Sequence, residues 1–211
     1  MNRSLFFALL CLLSVVIIPS GPSFGQTVID EWASVQAPAA PAVKPVTVDP
    51  KTTALLLLDF NKQTCNAERR PRCVASIPKV KKLMEVARAK GMAIIYSLSA
   101  GAIPADIAAD LAPAAGDPVV TSGPDKFLGT DLEKVLKEKN IQTVIVAGTA
   151  AHGAVLATAS GAALRGMKVL VPADGVSAET LYPEKYTLWH LLNAPRIGAQ
   201  TTITRTDLIS Y

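Results

Sequence analysis

Read from its amino end, the chain shows an apolar stretch, then a proline-rich one, then a regular alternation of apolar patterns. The 14 residues from Leu5 to Ile18 hold a single polar side chain, Ser14. That is short for a membrane span, which takes roughly 20 residues. Arg3 precedes the run, Pro19, Gly21 and Pro22 follow it, and Ser23-Phe24-Gly25 offers small residues at the −3 and −1 positions of a cleavage site before Gln26. The pattern predicts a secretory signal peptide over residues 1–25 and a periplasmic or secreted mature protein. The competing reading is an uncleaved membrane anchor. No later apolar run reaches about 18 residues, so no membrane association is expected once the signal is removed. Residues 26–50 contain Pro38, Pro41, Pro45 and Pro50 among alanines, the composition of an extended arm rather than a packed unit.

From residue 51 the pattern changes. Ala54–Leu58 is a continuous apolar run, as in a central parallel strand buried on both faces. Val80, Leu83, Met84, Val86 and Ala87 recur at helical spacing and predict a helix over 77–90, stopped by Gly91. Further strands are predicted over 92–97, 119–120, 143–147, 168–171 and 201–204. Further helices are predicted over 131–139, capped by Thr130, over 152–165 and over 186–192. Strands alternating with helices define an α/β domain over 51–211, its parallel sheet covered on both faces. In such folds ligands bind beyond the carboxyl ends of the strands.

Composition narrows the function. The length of 211 residues suits one domain, and half the residues are apolar against 18% charged, which excludes a disordered chain and a coiled coil. The net charge is 21 − 17 = +4, or 20 − 17 = +3 once Arg3 leaves with the signal. A basic stretch runs from Arg69 to Lys90, but Pro71 and Pro78 interrupt it and it carries no aromatic side chain. It reads as a solvated loop and helix face, and no nucleic-acid partner is expected. The two histidines, His152 and His190, lie far apart, and no Cys-x-x-Cys or His-Glu-x-x-His spacing occurs, so neither a metal site nor a cofactor is expected. Removing the signal also removes Cys11 and leaves Cys65 and Cys73. An even count in an exported chain predicts a disulfide between them, the alternative being two buried thiols.

The strand ends hold the candidate chemistry. Asp59 directly follows the first apolar strand, where a carboxylate suits general acid or base work or, more plainly, caps a loop. Gly148-Thr149-Ala150-Ala151-His152-Gly153-Ala154 joins a strand to a helix through small residues, an arrangement that can aim backbone N–H groups at an oxyanion or carboxylate, or simply allow close packing. Lys126, in Asp125-Lys126-Phe127, is placed to pair with Asp59 or to face solvent as an ordinary lysine. Asn61, Phe127, Thr149, Ala150, His152 and Ala154 are the candidate substrate contacts around this catalytic pair. His152 is equally a solvent-facing side chain at a helix start.

Together these landmarks resemble the isochorismatase-like hydrolase family of cysteine hydrolases, which includes isochorismatases, nicotinamidases and other amidohydrolases. The resemblance rests on Ala54–Asp59, Phe127–Leu132, Val144–Gly148 with the following helix, Arg165-Gly166 and Asp174–Ser177. It implies a three-layer α/β/α sandwich around a six-stranded parallel sheet, Rossmann-like in layout, and a homo-oligomer. It also implies a non-proline cis peptide at Thr149–Ala150, aiming the N–H groups of Ala150 and Ala154 at one point near Asp59. Amidohydrolase members use an Asp, a Lys and a nucleophilic Cys. Asp59 matches the Asp, but the Cys position, counted from Gly148, is Ala154, and the usual Lys position is Thr121. The Asp-x-His metal segment is replaced by Ser97–Gly101. Isochorismatases proper also lack the Cys and carry an Ala-His pair like Ala151-His152. Two expectations follow: an exported hydrolase acting on a small molecule through Asp59 and Lys126, or a non-catalytic ligand-binding or scaffold protein on the same fold. Export argues against isochorismate itself, an intracellular metabolite, as substrate.

Overall fold

The computed structural model describes residues 27–211; the expected signal peptide lies outside the described residues. The chain divides into two units, Met1–Pro38 and Ala39–Tyr211. In the first, residues 27–38 hold one 3-10 turn, Trp32–Ser34, and Asp30 accepts hydrogen bonds from the Thr27 N–H and hydroxyl.

The second unit is an α/β sandwich. Its strands are β1 (Val46–Thr47), β2 (Thr53–Leu58), β3 (Ala93–Leu98), β4 (Val119–Thr121), β5 (Thr143–Thr149), β6 (Lys168–Pro172), β7 (Val176–Ser177), β8 (Thr201–Thr204) and β9 (Ile209–Ser210). Its helices are α1 (Pro71–Ala89), α2 (Leu132–Glu138), α3 (Leu156–Leu164) and α4 (Leu181–Asn193). The six-stranded order is β4-β3-β2-β5-β6-β8, all parallel, and β7 adds a short parallel pairing at the end of β5. Every residue of β2 is buried. Alternation sends Leu55 and Leu57 into the core under α1, and Leu56 and Leu58 into the core under α2, α3 and α4. The apolar run thus makes β2 the central strand, and its end is walled in by neighbours on every side.

Several boundaries differ from the sequence expectation. Helix α1 starts at Pro71, six residues before the predicted Ile77. Proline fits the first helical position, where its missing N–H has no intrahelical acceptor to meet, and the interior Pro78 is accommodated within the helix. Helix α4 starts at Leu181 rather than Tyr186, with Pro183 in its first turn for the same reason. Helix α3 is preceded by a π-helical turn, Ala151–Val155. The arm expected to stay unpacked is pinned at its carboxyl end. Val46–Thr47 pairs with Ile209–Ser210, and the N–H groups of Lys44 and Val48 donate to Ile203 and Ser210 carbonyls. Two-residue strands carry too little periodicity to be read from sequence. Among the described residues no helix is long and apolar enough to cross a membrane.

Candidate active site

The site is assembled where β2, β3 and β5 end together. Leu58 is in register with Ser97 of β3 and Gly148 of β5. Gly148 has φ +152°, and a Cβ there would overlap the Leu58 carbonyl oxygen, so only glycine lets the two strand ends close up. The next residue, Asp59, ends the strand with φ +55°, a left-handed conformation that Asp tolerates better than most residues and that turns the chain away from the strand direction.

Asp59 is 6% exposed and Lys126 is fully buried. The Lys126 ammonium lies 2.8 Å from Asp59 Oδ2. It also donates to the Leu98 carbonyl at 3.4 Å and the Ser122 carbonyl at 3.2 Å. An ammonium has three N–H donors, and these three acceptors occupy them. The other carboxylate oxygen, Asp59 Oδ1, accepts from the Ser97 hydroxyl at 2.7 Å. The loop carrying Lys126 is tied to α3 by its own N–H, which donates to Thr158 Oγ1 at 3.3 Å, and to the start of α2 by Thr130, whose hydroxyl donates to the Lys126 carbonyl at 2.5 Å. Lys126 reaches Asp59 from this loop, while Thr121, the usual family position, is exposed. Removing two charges from water is costly and is offset only by this kind of saturated hydrogen bonding.

Asn61 lies two residues further on and is fully buried. Its Oδ1 accepts from the hydroxyls of Thr64 at 2.9 Å and Ser99 at 3.3 Å, whereas Nδ2 has no partner. An unmade buried hydrogen bond costs about 1–3 kcal/mol. The Asn61 carbonyl is held by the N–H groups of Thr64 and Cys65, and Cys65 is bonded to Cys73 in the first turn of α1. The same loop is braced by Arg70, which donates to the Thr64 carbonyl and pairs with Glu179 at 2.7 Å. That contact holds the Glu179 carboxyl at about 2, well below its usual 4.5.

The turn after β5 is close-packed. The Thr149–Ala150 bond is cis. The Thr149 hydroxyl donates to the Ser177 carbonyl at 3.1 Å, and Ala151 and Ala154 are buried. His152, a candidate contact, has its side chain exposed. The Phe127 ring packs against Gly161 of α3, with the Arg165 guanidinium 4.2 Å from the ring centroid. Ser97 was not among the sequence candidates. The available signal was a polar residue closing an apolar strand directly beside the one that ends at Asp59. Among the described residues no cluster of three or more His, Cys, Asp or Glu side chains is placed to hold a metal ion.

A parallel α/β sandwich with an Asp–Lys pair at the carboxyl ends of its central strands is the layout the sequence resemblance implied. Residues 53–204 match the isochorismatase domain model, and the chain belongs to the isochorismatase family. No curated protein sequence matches it significantly. Among solved structures, an isochorismatase family protein from Desulfovibrio vulgaris superposes with a TM-score of 0.67 at 21% identity, covering 74% of this chain and 95% of that one. A cysteine hydrolase from Pseudomonas syringae gives 0.68 at 19% identity, covering 80% and 95%. The N-carbamoylsarcosine amidase of Thermoplasma acidophilum gives 0.63 at 22% identity, covering 74% and 97%. These likenesses establish the shared fold.

Proposed function

We propose that the chain is an exported hydrolase that cleaves a small molecule through Asp59, without a covalent enzyme intermediate. The observation that carries this reading is the 2.8 Å ion pair between Asp59 and Lys126, closed off from solvent at the carboxyl edge of the sheet. A buried pair is weak support for stability, since apolar side chains of similar volume commonly do as well. Its presence at a strand end where α/β proteins bind ligands therefore favours chemistry. Counted from Gly148, Ala154 takes the position of the family's nucleophilic Cys. A methyl group cannot attack, so water is the nucleophile.

In this mechanism Asp59 accepts a proton from water as the water oxygen adds to the electrophilic carbon. The carboxyl then passes that proton to the departing nitrogen or oxygen, so one water is consumed and Asp59 returns to its starting state. Lys126 and the Ser97 hydroxyl fix the carboxylate. The N–H groups of the small-residue turn from Thr149 to Ala154 are the candidate donors to the developing oxyanion. The expected setting is the periplasm or the outside of the cell, in a homo-oligomer.

The test is a screen of the mature protein against small amides, esters and vinyl ethers. Turnover of one of them should fall by about 10²-fold or more in Asp59→Asn with the fold retained. An activity indifferent to that substitution overturns the reading. A second reading, a ligand-binding or scaffold protein, draws support from the saturation of all three Lys126 donors. It expects no turnover in the screen and no amidase activity in Ala154→Cys.

A further inference from the structure

Asn61 has a fixed backbone and an unfinished side chain. Its carbonyl accepts from the N–H groups of Cys65 at 2.7 Å and Thr64 at 3.0 Å. On either side of it, the Phe60 carbonyl accepts from Ala108 N–H and the Lys62 N–H donates to the Asp106 carbonyl, both at 2.9 Å, so the segment is bridged to residues 106–108. The Cys65–Cys73 bridge anchors the same loop to α1. A side chain so thoroughly positioned has every reason to be satisfied, yet Nδ2 is buried and unpartnered while Oδ1 faces the Ser99 hydroxyl and the Thr64 hydroxyl, whose one hydrogen also has the Asp59 carbonyl in reach. Turning the carboxamide over moves the vacancy to Oδ1 without filling it, because the same two hydroxyls face the same end. In either orientation one strongly polar atom, two residues past Asp59, lacks its partner.

We propose that Asn61 is the specificity-determining residue of the Asp59 site, and that its free carboxamide end pairs with an uncharged polar group of the ligand, such as a carboxamide or ester. The neutrality follows from the neighbours. Asp59 is itself a carboxylate and repels an anion placed beside it. The one buried ammonium at the site, Lys126, has its donors taken by Asp59, Leu98 and Ser122, so it offers none to a ligand carboxylate. A hydrogen-bonding site with a preset vacancy rejects ligands that cannot fill it more sharply than an apolar pocket rejects a misfit. This inference rests on the reading of the Asp59 region as a ligand site.

The experiment is a ¹⁵N–¹H NMR titration of the mature protein with acetamide and, separately, acetate. The Asn61 side-chain NH₂ signals are assigned by their loss in Asn61→Asp. A ligand of so few atoms binds at best on the order of millimolar. The expected result is that acetamide shifts the Asn61 NH₂ pair together with the backbone amides of Phe60 and Asn61. Acetate should bind about tenfold more weakly or worse. Asn61→Leu should weaken acetamide about tenfold, and its melting temperature is followed alongside, since the change removes an unmet Nδ2 but also the Oδ1 that faces Thr64 and Ser99. If Asn61→Leu does not fold, the shift of the wild-type NH₂ pair decides alone. If acetamide moves the amides near Asp59 and Asp59→Asn weakens it, but the Asn61 NH₂ pair stays still and Asn61→Leu binds normally, this inference fails and the site stands. If neither probe disturbs the Asp59 surroundings at about 0.1 M, or Asp59→Asn makes no difference, the site reading fails and takes this one with it.

Discussion

The two edges of the sheet differ in how far their charges are withdrawn from water. At the amino edge a cleft of about 700 Å³ opens between the strand starts, lined by Thr52, Gln142, Met167, Lys168 and Arg165 among others. Its arginine is exposed enough to reach Glu133 at the surface. At the carboxyl edge Asp59 and Lys126 are almost inaccessible, yet they hold opposite charges 2.8 Å apart with every ammonium donor engaged. Desolvation points to the carboxyl edge, because charged groups removed from water interact far more strongly than exposed ones.

Removing one charge from each edge should give the largest difference between them. Lys126→Met leaves a buried carboxylate without its partner and should cost about 3–5 kcal/mol in denaturant unfolding. Arg165→Ala removes a surface pair and a cation–π contact and should cost about 1 kcal/mol. The double variant Asp59→Leu with Lys126→Met should recover much of the loss while remaining inactive. Equal costs at the two edges would show that the buried pair is not energetically distinct.

Glycine gives the next contrast. Gly148, at the carboxyl edge, has φ +152° and no room for a methyl beside Leu58, whereas Gly166, in the amino-edge cleft, has φ +83° and open space around it. Gly148→Ala should cost about 3 kcal/mol or somewhat more through overlap with backbone. Gly166→Ala should cost about 1 kcal/mol through the left-handed conformation alone. Thermal or chemical melts of the two variants check this, and a mild Gly148→Ala would mean the strand ends can part.

The sequence made the sheet and the Asp59 region legible for one physical reason: an apolar run buried on both faces has few possible places in an α/β fold, and its end is a predictable location. Lys126 was open to the same reasoning, being a lysine just past another strand end. Asn61 could be placed beside Asp59 but not its vacancy, which depends on where Thr64 and Ser99 put their hydroxyls. Ser97 went unread because a serine closing a strand is common, and its meaning comes from register with Leu58. Phe127 is a candidate by its position beside Lys126, but its packing depends on Gly161, which leaves the space that the ring takes. The early start of α1 was hidden by Pro71, which looks like a breaker and acts as a starter, and by Pro78, which sits inside the helix.

The smallest expected difference is read in a pH titration. Two carboxyls stand near 2 instead of their usual 4.5: Glu179, chiefly through its hydrogen bonds from Arg70, and Glu133, chiefly through Lys137 and then Arg165. Both are depressed, so each contributes stability that is complete above about 4.5 and is lost as pH falls through about 2. The environments differ. Arg70 has a nearly buried side chain, 7% exposed, while Glu133 and its partner Arg165 are 36% and 37% exposed. Glu179 is itself 34% exposed, so the full linkage figure must be reduced for screening, leaving roughly 1–2 kcal/mol near neutrality. Glu179→Gln should therefore lower the melting temperature at pH 7, and the gap from the wild type should narrow as pH drops from about 4.5 toward 2. Raising ionic strength to about 1 M, where the screening length is roughly 3 Å, should erase the Glu133→Gln effect and leave most of the Glu179→Gln effect. If salt erases both alike, the Arg70 anchor behaves as a surface pair, and the loop that carries Asn61 is held by its disulfide and backbone bonds instead.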